Sequence, residues 1–146
     1  MISIKKLNKR DLELCFELDS NTISLWSKKQ WDNELQKEGI LAYGLIISNF
    51  VIGICVSQKV LDEAHINYFV IDSKFQRKGF GSNFMNFLIN EYEKLEIKKI
   101  LLEVSESNLI AKKFYNNFQF RTVGIRKNYY KDGSNALLKE KKLIKK

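Results

Sequence analysis

The spacing of apolar residues along the chain predicts a regular succession of strands and helices. Seven segments carry apolar residues in alternation or in short continuous runs, as β-strands do: 2–7, 41–48, 50–58, 64–71, 98–104, 120–130 and 136–144. Four segments carry them at helical spacing: 8–19, a stretch that begins at Ser27, 81–95 and 108–118. This order predicts an α/β fold, a mixed and mostly antiparallel sheet flanked by helices on both faces.

Polar residues at predicted boundaries support this assignment. Asn8 can cap the first helix, and Ser27 and Gln30 have the spacing of a capping box. A strand, a helix and a strand follow one another over residues 64–104, so these two strands are expected to be parallel. The dipeptide Asp132-Gly133 indicates a hairpin between the last two strands.

The segment 76–82, with the sequence QRKGFGS, lies between a predicted strand and a predicted helix. Free N–H groups at a helix start and two closely spaced glycines are typical of an anion site, to which Arg77 and Lys78 add positive charge. Two phosphate motifs do not match. A Walker loop needs Lys-Ser or Lys-Thr after its last glycine, and a dinucleotide fingerprint needs glycine in place of Phe84. An ordinary strand-to-helix turn is the alternative.

Composition favours one domain in a reducing compartment. With 146 residues and 45% hydrophobic content, the chain can bury a core, so we expect a single domain over residues 1–146. Its beginning does not resemble a targeting segment, and polar residues interrupt the most apolar region, 45–56, so no membrane span is expected. Cys15 and Cys55 lack metal or redox spacing and are expected to be buried thiols of a cytoplasmic protein.

The net charge of +8 is compatible with nucleic acid, an anionic surface or a polyanionic cofactor as partner. Most of the excess is lysine spread along the chain, which is more typical of a solvated surface than of a nucleic-acid groove. We therefore expect neither a specific nucleic-acid partner nor a membrane partner. No spacing of His, Cys and carboxylates indicates a metal site.

Several segments together resemble a known family. The glycine loop is similar to the Arg/Gln-x-x-Gly-x-Gly/Ala segment of the GNAT acyltransferases, which holds the pyrophosphate of acetyl-coenzyme A (acetyl-CoA). Other segments recur in the order seen in the RimI-type branch, the bacterial ribosomal-protein-alanine N-acetyltransferases: Trp26-Ser27, 63–66, 102–104, Ser107-Asn108, Phe114-Tyr115, Phe120 and 126–130. The resemblance covers most of the chain and implies the GNAT fold, with acetyl-CoA as acetyl donor and no metal.

Acetyl transfer to an α-amine, whose pKa is about 8, requires a base that removes a proton and an acid for the departing thiolate. Glu103 lies in the apolar run 100–104, where partial burial would raise the pKa of its carboxyl. A strand glutamate that faces water is the alternative. By resemblance, Glu103 is the general base and Tyr115 the general acid, although Tyr115 could simply pack with its helix neighbours.

The resemblance also implies binding residues. The main chain of one strand is expected to pair with the pantetheine arm of acetyl-CoA, the glycine loop to enclose its pyrophosphate, and a helix-capping asparagine to contact the arm. These residues are Phe69, Val70, Ile71, Arg77, Lys78, Gly79, Phe80, Gly81, Ser82 and Asn108. The residues expected at the acceptor, for which a packed strand end is the alternative, are Trp26, Arg126, Asn128, Tyr129 and Tyr130. His65 is expected to be structural.

The sequence departs from the family pattern at Leu25, Ser73 and Gln119, where proline, proline and glycine are usual. A left-handed backbone at Gln119 would cost about 1 kcal/mol. The implied function is acetyl transfer, by direct attack in a ternary complex, to a protein N-terminal α-amine, most directly the N-terminal alanine of a small-subunit ribosomal protein. Two alternatives remain open: a GNAT enzyme that acetylates a small-molecule amine or lysine side chain, and a non-catalytic basic module that binds coenzyme A.

Overall fold

The strands and helices follow the predicted order in the computed structural model, which describes residues 2–143. The strands are β1 (Ile2–Lys6), β2 (Ile40–Ile47), β3 (Phe50–Val60), β4 (Glu63–Ile71), β5 (Lys99–Ser105), β6 (Arg121–Arg126) and β7 (Ala136–Lys142). The helices are α1 (Leu12–Ser20), α2 (Lys28–Leu35), α3 (Phe80–Lys94) and α4 (Leu109–Asn117). Within this described part of the chain, no helix has both the length and the apolar character needed to cross a membrane.

The strands form one sheet in the order β1-β2-β3-β4-β5-β7-β6. Neighbouring strands are antiparallel, except that β4 and β5 run parallel and are connected through α3. The predicted mixed, mostly antiparallel sheet is therefore confirmed.

Apolar side chains from the helices cover both faces of the sheet. On one face, α3 contributes Phe84, Met85, Leu88 and Tyr92 to a buried cluster that also contains Tyr115 of α4. On the other face, α1 and α2 contribute Cys15, Leu18, Trp31 and Leu35 to a second cluster. Both cysteines are buried, as predicted.

The capping signals are confirmed, with one change in the first helix. The Ser27 N–H donates to Gln30 Oε1 (2.8 Å), and the Gln30 N–H donates to Ser27 Oγ (3.1 Å). Asn8 also caps a helical start, but its first turn, Lys9–Asp11, is a 3-10 helix that precedes α1. The predicted helix from residue 8 is thus divided into two pieces.

The prediction of one strand over residues 120–130 is wrong, because β6 ends at Arg126. Asn128 has a φ of +51°, which an extended strand does not adopt, and its N–H donates to Asn135 Oδ1 at 2.9 Å. The hairpin between β6 and β7 is confirmed, but a loop over residues 127–135 connects the strands. The predicted end of the last strand at Ile144 lies outside the described residues.

The parallel strands β4 and β5 separate halfway along their length. Their pairing ends at Ile66 and Leu102, although β4 continues to Ile71 and β5 to Ser105. Asn67 is an extra residue on β4 at this point, because Val56 and Ser57 of β3 pair with Tyr68 and Ile66. Such a bulge bends a strand away from its neighbour. The sheet therefore opens beyond Ile66, and both cavities of the candidate site adjoin this opening.

Candidate active site

A cleft of about 510 Å³ lies between the end of β4, the glycine loop and α4; we call it the β4–α4 cleft. It brings together most of the residues predicted to bind the donor: Phe69, Val70, Ile71, Arg77, Gly79, Gly81, Ser82 and Asn108. Among residues 2–143, β3 pairs with one edge of β4, and the other edge of β4 has no partner strand at Phe69–Ile71. Backbone amides are thus available to an extended ligand.

The glycine loop has the geometry of an anion site. Gly79 adopts a left-handed conformation (φ +84°) immediately before α3, and Arg77 does so two residues earlier (φ +61°). The Asn83 N–H bonds to the Gly79 carbonyl at 3.1 Å, so the amides of the preceding residues form the free start of the helix. The Gln76 side chain donates to the Ile71 carbonyl at 2.8 Å and thereby attaches the loop to β4.

Two loop residues predicted to enclose the ligand do not line the cleft. The Lys78 Nζ lies 6.0 Å from the centre of the Phe75 ring, and the Phe80 ring packs against the same ring at 6.0 Å. Their side chains therefore support the outer surface of the loop, while Phe80 still supplies a backbone amide at the start of α3.

Tyr115 lines the β4–α4 cleft from α4 and is largely buried. Its ring packs edge-on against Phe114 (5.3 Å between centroids) and Phe120 (5.4 Å). Burial raises the pKa of its hydroxyl well above the ordinary value of tyrosine, so this hydroxyl stays protonated at neutral pH. Asn108 caps α4, with its Oδ1 accepting the Ala111 N–H at 3.1 Å, as predicted.

A second cavity, of about 590 Å³, lies over β5, β7 and β6; we call it the β5–β6 groove. Four predicted site residues line it, namely Glu103, Arg126, Tyr129 and Tyr130. The loop between β6 and β7 places the two tyrosines there, with their rings 5.1 Å apart. The Arg126 guanidinium lies 5.5 Å from the centre of the Tyr129 ring.

Glu103 lies on a different face of β5 from its apolar neighbours. Residues alternate along β5, so that Leu102 and Val104 are buried in the core while Glu103 points to the opposite face. Its side chain remains 35% exposed, and Arg126 Nε lies 3.4 Å from Glu103 Oε2. The Glu103 side chain is therefore partly buried, as predicted from its place in the run, and a charged group lies beside it. Burial and the negative charge of Glu103 raise the pKa of Tyr130.

Two residues predicted at the acceptor lie outside the groove lining. Trp26 packs against Trp31 (4.7 Å between ring centroids) and Tyr68 (5.2 Å), beside the second core cluster. Its neighbour Leu25 lines the groove instead. Asn128 is exposed and contributes to the loop through its left-handed backbone.

Several residues that line the two cavities were not predicted as site residues, and His65, Asn67 and Ile23 are among them. His65 and Asn67 line the β5–β6 groove, and Ile23 lines the β4–α4 cleft. His65 Nε2 lies 3.0 Å from Glu63 Oε1. Asn67 is a polar residue in the middle of an apolar strand. Such an interruption of the apolar pattern could have indicated the β-bulge at this position.

The chain is similar in sequence to known proteins over most of its length. The sequence model of the acetyltransferase (GNAT) family matches residues 6–120. A ribosomal protein bS18-alanine N-acetyltransferase of Escherichia coli (strain K12) is 31% identical over 131 residues, which cover 89% of this chain and 88% of that protein. The protein of the same name in Haemophilus influenzae is 34% identical over 131 residues, with the same coverage of 89% and 88%.

A solved structure shows the same fold. The crystal structure of the ribosomal-protein-S18-alanine N-acetyltransferase from Escherichia coli superposes with a TM-score of 0.92 and 29% identity, over 100% of this chain and 96% of that one. Sequence and structure thus point the same way, and the chain belongs to the acetyltransferase (GNAT) family.

Proposed function

We propose that this protein transfers an acetyl group from acetyl-CoA to the N-terminal α-amine of a protein, with the N-terminal alanine of a small-subunit ribosomal protein as its acceptor. The observation that carries this proposal is the pair of cavities at the separation of β4 and β5. Tyr115 lines one cavity and Glu103 the other. The names of the Escherichia coli and Haemophilus influenzae relatives support the choice of acceptor.

Acetyl-CoA would occupy the β4–α4 cleft. The left-handed Gly79 and the free amides at the start of α3 suit a diphosphate, and Arg77 adds a positive charge. The unpaired edge of β4 offers amides to the pantetheine arm. Asn108, whose Oδ1 is occupied by capping, still has its amide N–H groups for the same arm.

The acceptor would enter the β5–β6 groove and present its amine to Glu103. The carboxylate accepts a proton from the ammonium, directly or through a water molecule, and the neutral amine then attacks the thioester carbon. The new C–N bond forms as the C–S bond breaks. The Tyr115 hydroxyl donates a proton to the departing thiolate, and the second proton of the amine nitrogen returns to the Tyr115 oxygen through solvent, which leaves a neutral amide, the free thiol of coenzyme A and the protonated tyrosine. The raised pKa of this tyrosine keeps the proton available until the thiolate forms.

Direct attack is favoured because no described cysteine can act as a nucleophile. Cys15 and Cys55 both have no exposed surface. Burial raises the pKa of each thiol to about 12, with the Asp11 charge adding to the effect at Cys15. A thiol in this state is not a thiolate at neutral pH. An acetyl-enzyme intermediate on either residue is therefore disfavoured.

Thiol release from acetyl-CoA tests the proposed function. Three acceptors are compared: a peptide that begins with alanine, an N-terminally blocked peptide with a lysine, and a polyamine. We expect release with the first alone, and mass spectrometry should locate the acetyl group on the α-amine. Release with the lysine peptide or the polyamine would replace the proposed acceptor. Absence of release with all three, together with coenzyme A binding, would indicate a non-catalytic module.

A further inference from the structure

A buried carboxylate lies close to both cavities but belongs to neither. Asp19, in the last turn of α1, has no exposed surface. Its two oxygens accept hydrogen bonds from four donors, at 2.9 to 3.0 Å. Burying an ionised carboxylate is costly unless such bonds replace its hydration. Burial alone would raise the pKa of Asp19, but the four donors together hold the pKa below its ordinary value.

The four donors come from three parts of the fold. The backbone N–H of Leu25 and the hydroxyl of Tyr68 on β4 donate to Oδ1. The backbone N–H of Trp26 and the indole of Trp31 on α2 donate to Oδ2. Asp19 thereby attaches the α1–α2 connection (residues 21–27) to a helix and to the strand that bends at Asn67.

The α1–α2 connection contributes to both cavities. Ile23 lines the β4–α4 cleft and Leu25 lines the β5–β6 groove, although the two side chains are 54% and 51% exposed. Between them, Ser24 has a φ of +48°, and its N–H donates to the Asp19 carbonyl at 2.7 Å. The Ile23 and Leu25 side chains, being this exposed, make few contacts that could fix residues 23–25. The position of these residues therefore depends on the hydrogen bonds of the backbone and on the neighbouring Trp26 ring, which packs against Trp31 and Tyr68.

We infer that Asp19 is a positioning residue for acetyl transfer, because it fixes the segment that forms a wall of the donor cleft and of the acceptor groove. This inference rests on the proposed function. Asp19 contacts neither substrate and acts through the backbone of Leu25 and Trp26. Loss of the carboxylate would let this wall move, which weakens acceptor binding more than it slows the chemical step.

The Asp19→Asn variant removes one of the two accepting oxygens. Whichever way the new amide turns, one backbone N–H of the connection and one side-chain donor lose their acceptor. The matched controls are Trp31→Phe and Tyr68→Phe, which each remove a side-chain donor and keep both backbone bonds. We expect Asp19→Asn to raise the acceptor KM by about tenfold to a hundredfold with a smaller change in kcat, whereas the controls lower Tm and leave this KM unchanged.

Hydrogen exchange supplies a second readout that does not depend on turnover. The Leu25 and Trp26 amides should be protected in the wild-type protein and exchange faster in Asp19→Asn, while the amides of α1 and α2 keep their protection. If Asp19→Asn does not fold, Asp19→Glu, which keeps the charge but displaces the oxygens, should show an intermediate rise in KM. A variant with lower Tm but an unchanged acceptor KM would show that Asp19 is merely structural.

The same experiment separates failure of the inference from failure of the proposed function. If the wild-type protein prefers another amine, the proposed acceptor is wrong, and the KM comparison made with that amine still tests Asp19. A wild-type protein that acetylates no amine overturns both proposals.

Discussion

Arg126 reaches across β7 to Glu103, with 3.4 Å between Arg126 Nε and Glu103 Oε2. Leu138 of β7 lies between the two strands, paired with Glu103 on one side and Gly124 on the other, and a Cβ at Gly124 would lie only 2.9 Å from Leu138 Cδ1. Both charged groups are partly exposed, and such pairs contribute only about 0–1 kcal/mol. The carboxylate is therefore oriented towards the groove but can readily exchange Arg126 for the ammonium of an acceptor.

The Glu103→Gln variant should lose about 10²–10⁴-fold in kcat, because glutamine keeps the size of the side chain and an oxygen that can face Arg126 but cannot take a proton from the amine. Affinity for acetyl-CoA should not change, since Glu103 does not line the β4–α4 cleft. Steady-state kinetics over a range of pH, with calorimetry for the donor, measures both quantities. A variant with a wild-type pH–rate profile would remove Glu103 as the base.

The Tyr115→Phe variant removes the hydroxyl and keeps the ring, so it tests the role of the hydroxyl separately. The ring packs against Phe114 and Phe120, and phenylalanine keeps this packing while it removes only the hydroxyl. We expect an unchanged Tm and donor affinity, with kcat reduced by about 10²-fold or more if this hydroxyl is the general acid. Wild-type turnover by Tyr115→Phe would assign the acid to another group.

Gly79→Val should weaken acetyl-CoA binding far more than it weakens the fold. Its backbone is left-handed (φ +84°), and a Cβ would project into open space beside the cleft. Gly133 is a matched control, with the same φ of +84° and the same open surroundings, but it lies in the β6–β7 loop. Both valine variants should lose about 1–2 kcal/mol of stability.

Thermal-shift titration with acetyl-CoA compares the two glycine variants. Only Gly79→Val should show reduced donor affinity. Equal affinities in Gly79→Val, Gly133→Val and the wild-type protein would contradict the assignment of the glycine loop to the donor.

Short sequence patterns are sufficient to predict the order of strands and helices, but they do not predict the separation of β4 and β5 that opens the site. The Ser27 capping box depends on residues three positions apart, so the sequence displays it directly. Asp19, in contrast, accepts from donors that are 6 to 49 positions away, and it looked like an ordinary polar residue at a helix end. The separation of β4 and β5 depends on where a bulge falls relative to a neighbouring strand, which no short pattern specifies.

The surroundings of Glu103 likewise depend on strand geometry. An apolar run can enclose a residue only if its neighbours share its face, and strand neighbours point to opposite faces. Similarly, the run of aromatic and polar residues after Arg126 suggested a strand, but the left-handed Asn128 ends that strand and makes Tyr129 and Tyr130 part of a loop.

Gln119→Gly should stabilise the protein without changing kcat. Gln119 has a φ of +62°, and the N–H groups of Gln119 and Phe120 donate to the carbonyls of Asn116 and Tyr115, each at 3.0 Å. This is the hydrogen-bond pattern of a Schellman end, which glycine favours. Gln119 therefore preserves the geometry of the helix end and the position of Tyr115, but it lowers the stability of the fold.

Glu96 provides the control for this prediction, because it ends α3 with a φ of +61° and the Ile97 N–H bonds to the Tyr92 carbonyl at 2.9 Å. Glycine at either position should raise the free energy of unfolding by about 0.5–1 kcal/mol. This gain is the strain of a left-handed non-glycine residue, reduced by the larger backbone entropy that glycine loses on folding. Thermal and denaturant unfolding should give similar gains for both variants. A change in kcat for Gln119→Gly alone would mean that the glutamine displaces Tyr115.

The stability that Asp19 provides should disappear in acid. Its folded pKa lies below the unfolded value of about 3.9, so the ionised carboxylate stabilises the fold fully above about pH 4. This contribution is lost as pH falls through the folded pKa, because the protonated group no longer accepts from all its donors. The free energy of unfolding, measured with urea from pH 7 to pH 2, should therefore differ between wild type and Asp19→Asn at neutral pH and converge in acid. A difference that does not change with pH would show that Asp19 is not ionised in the folded protein.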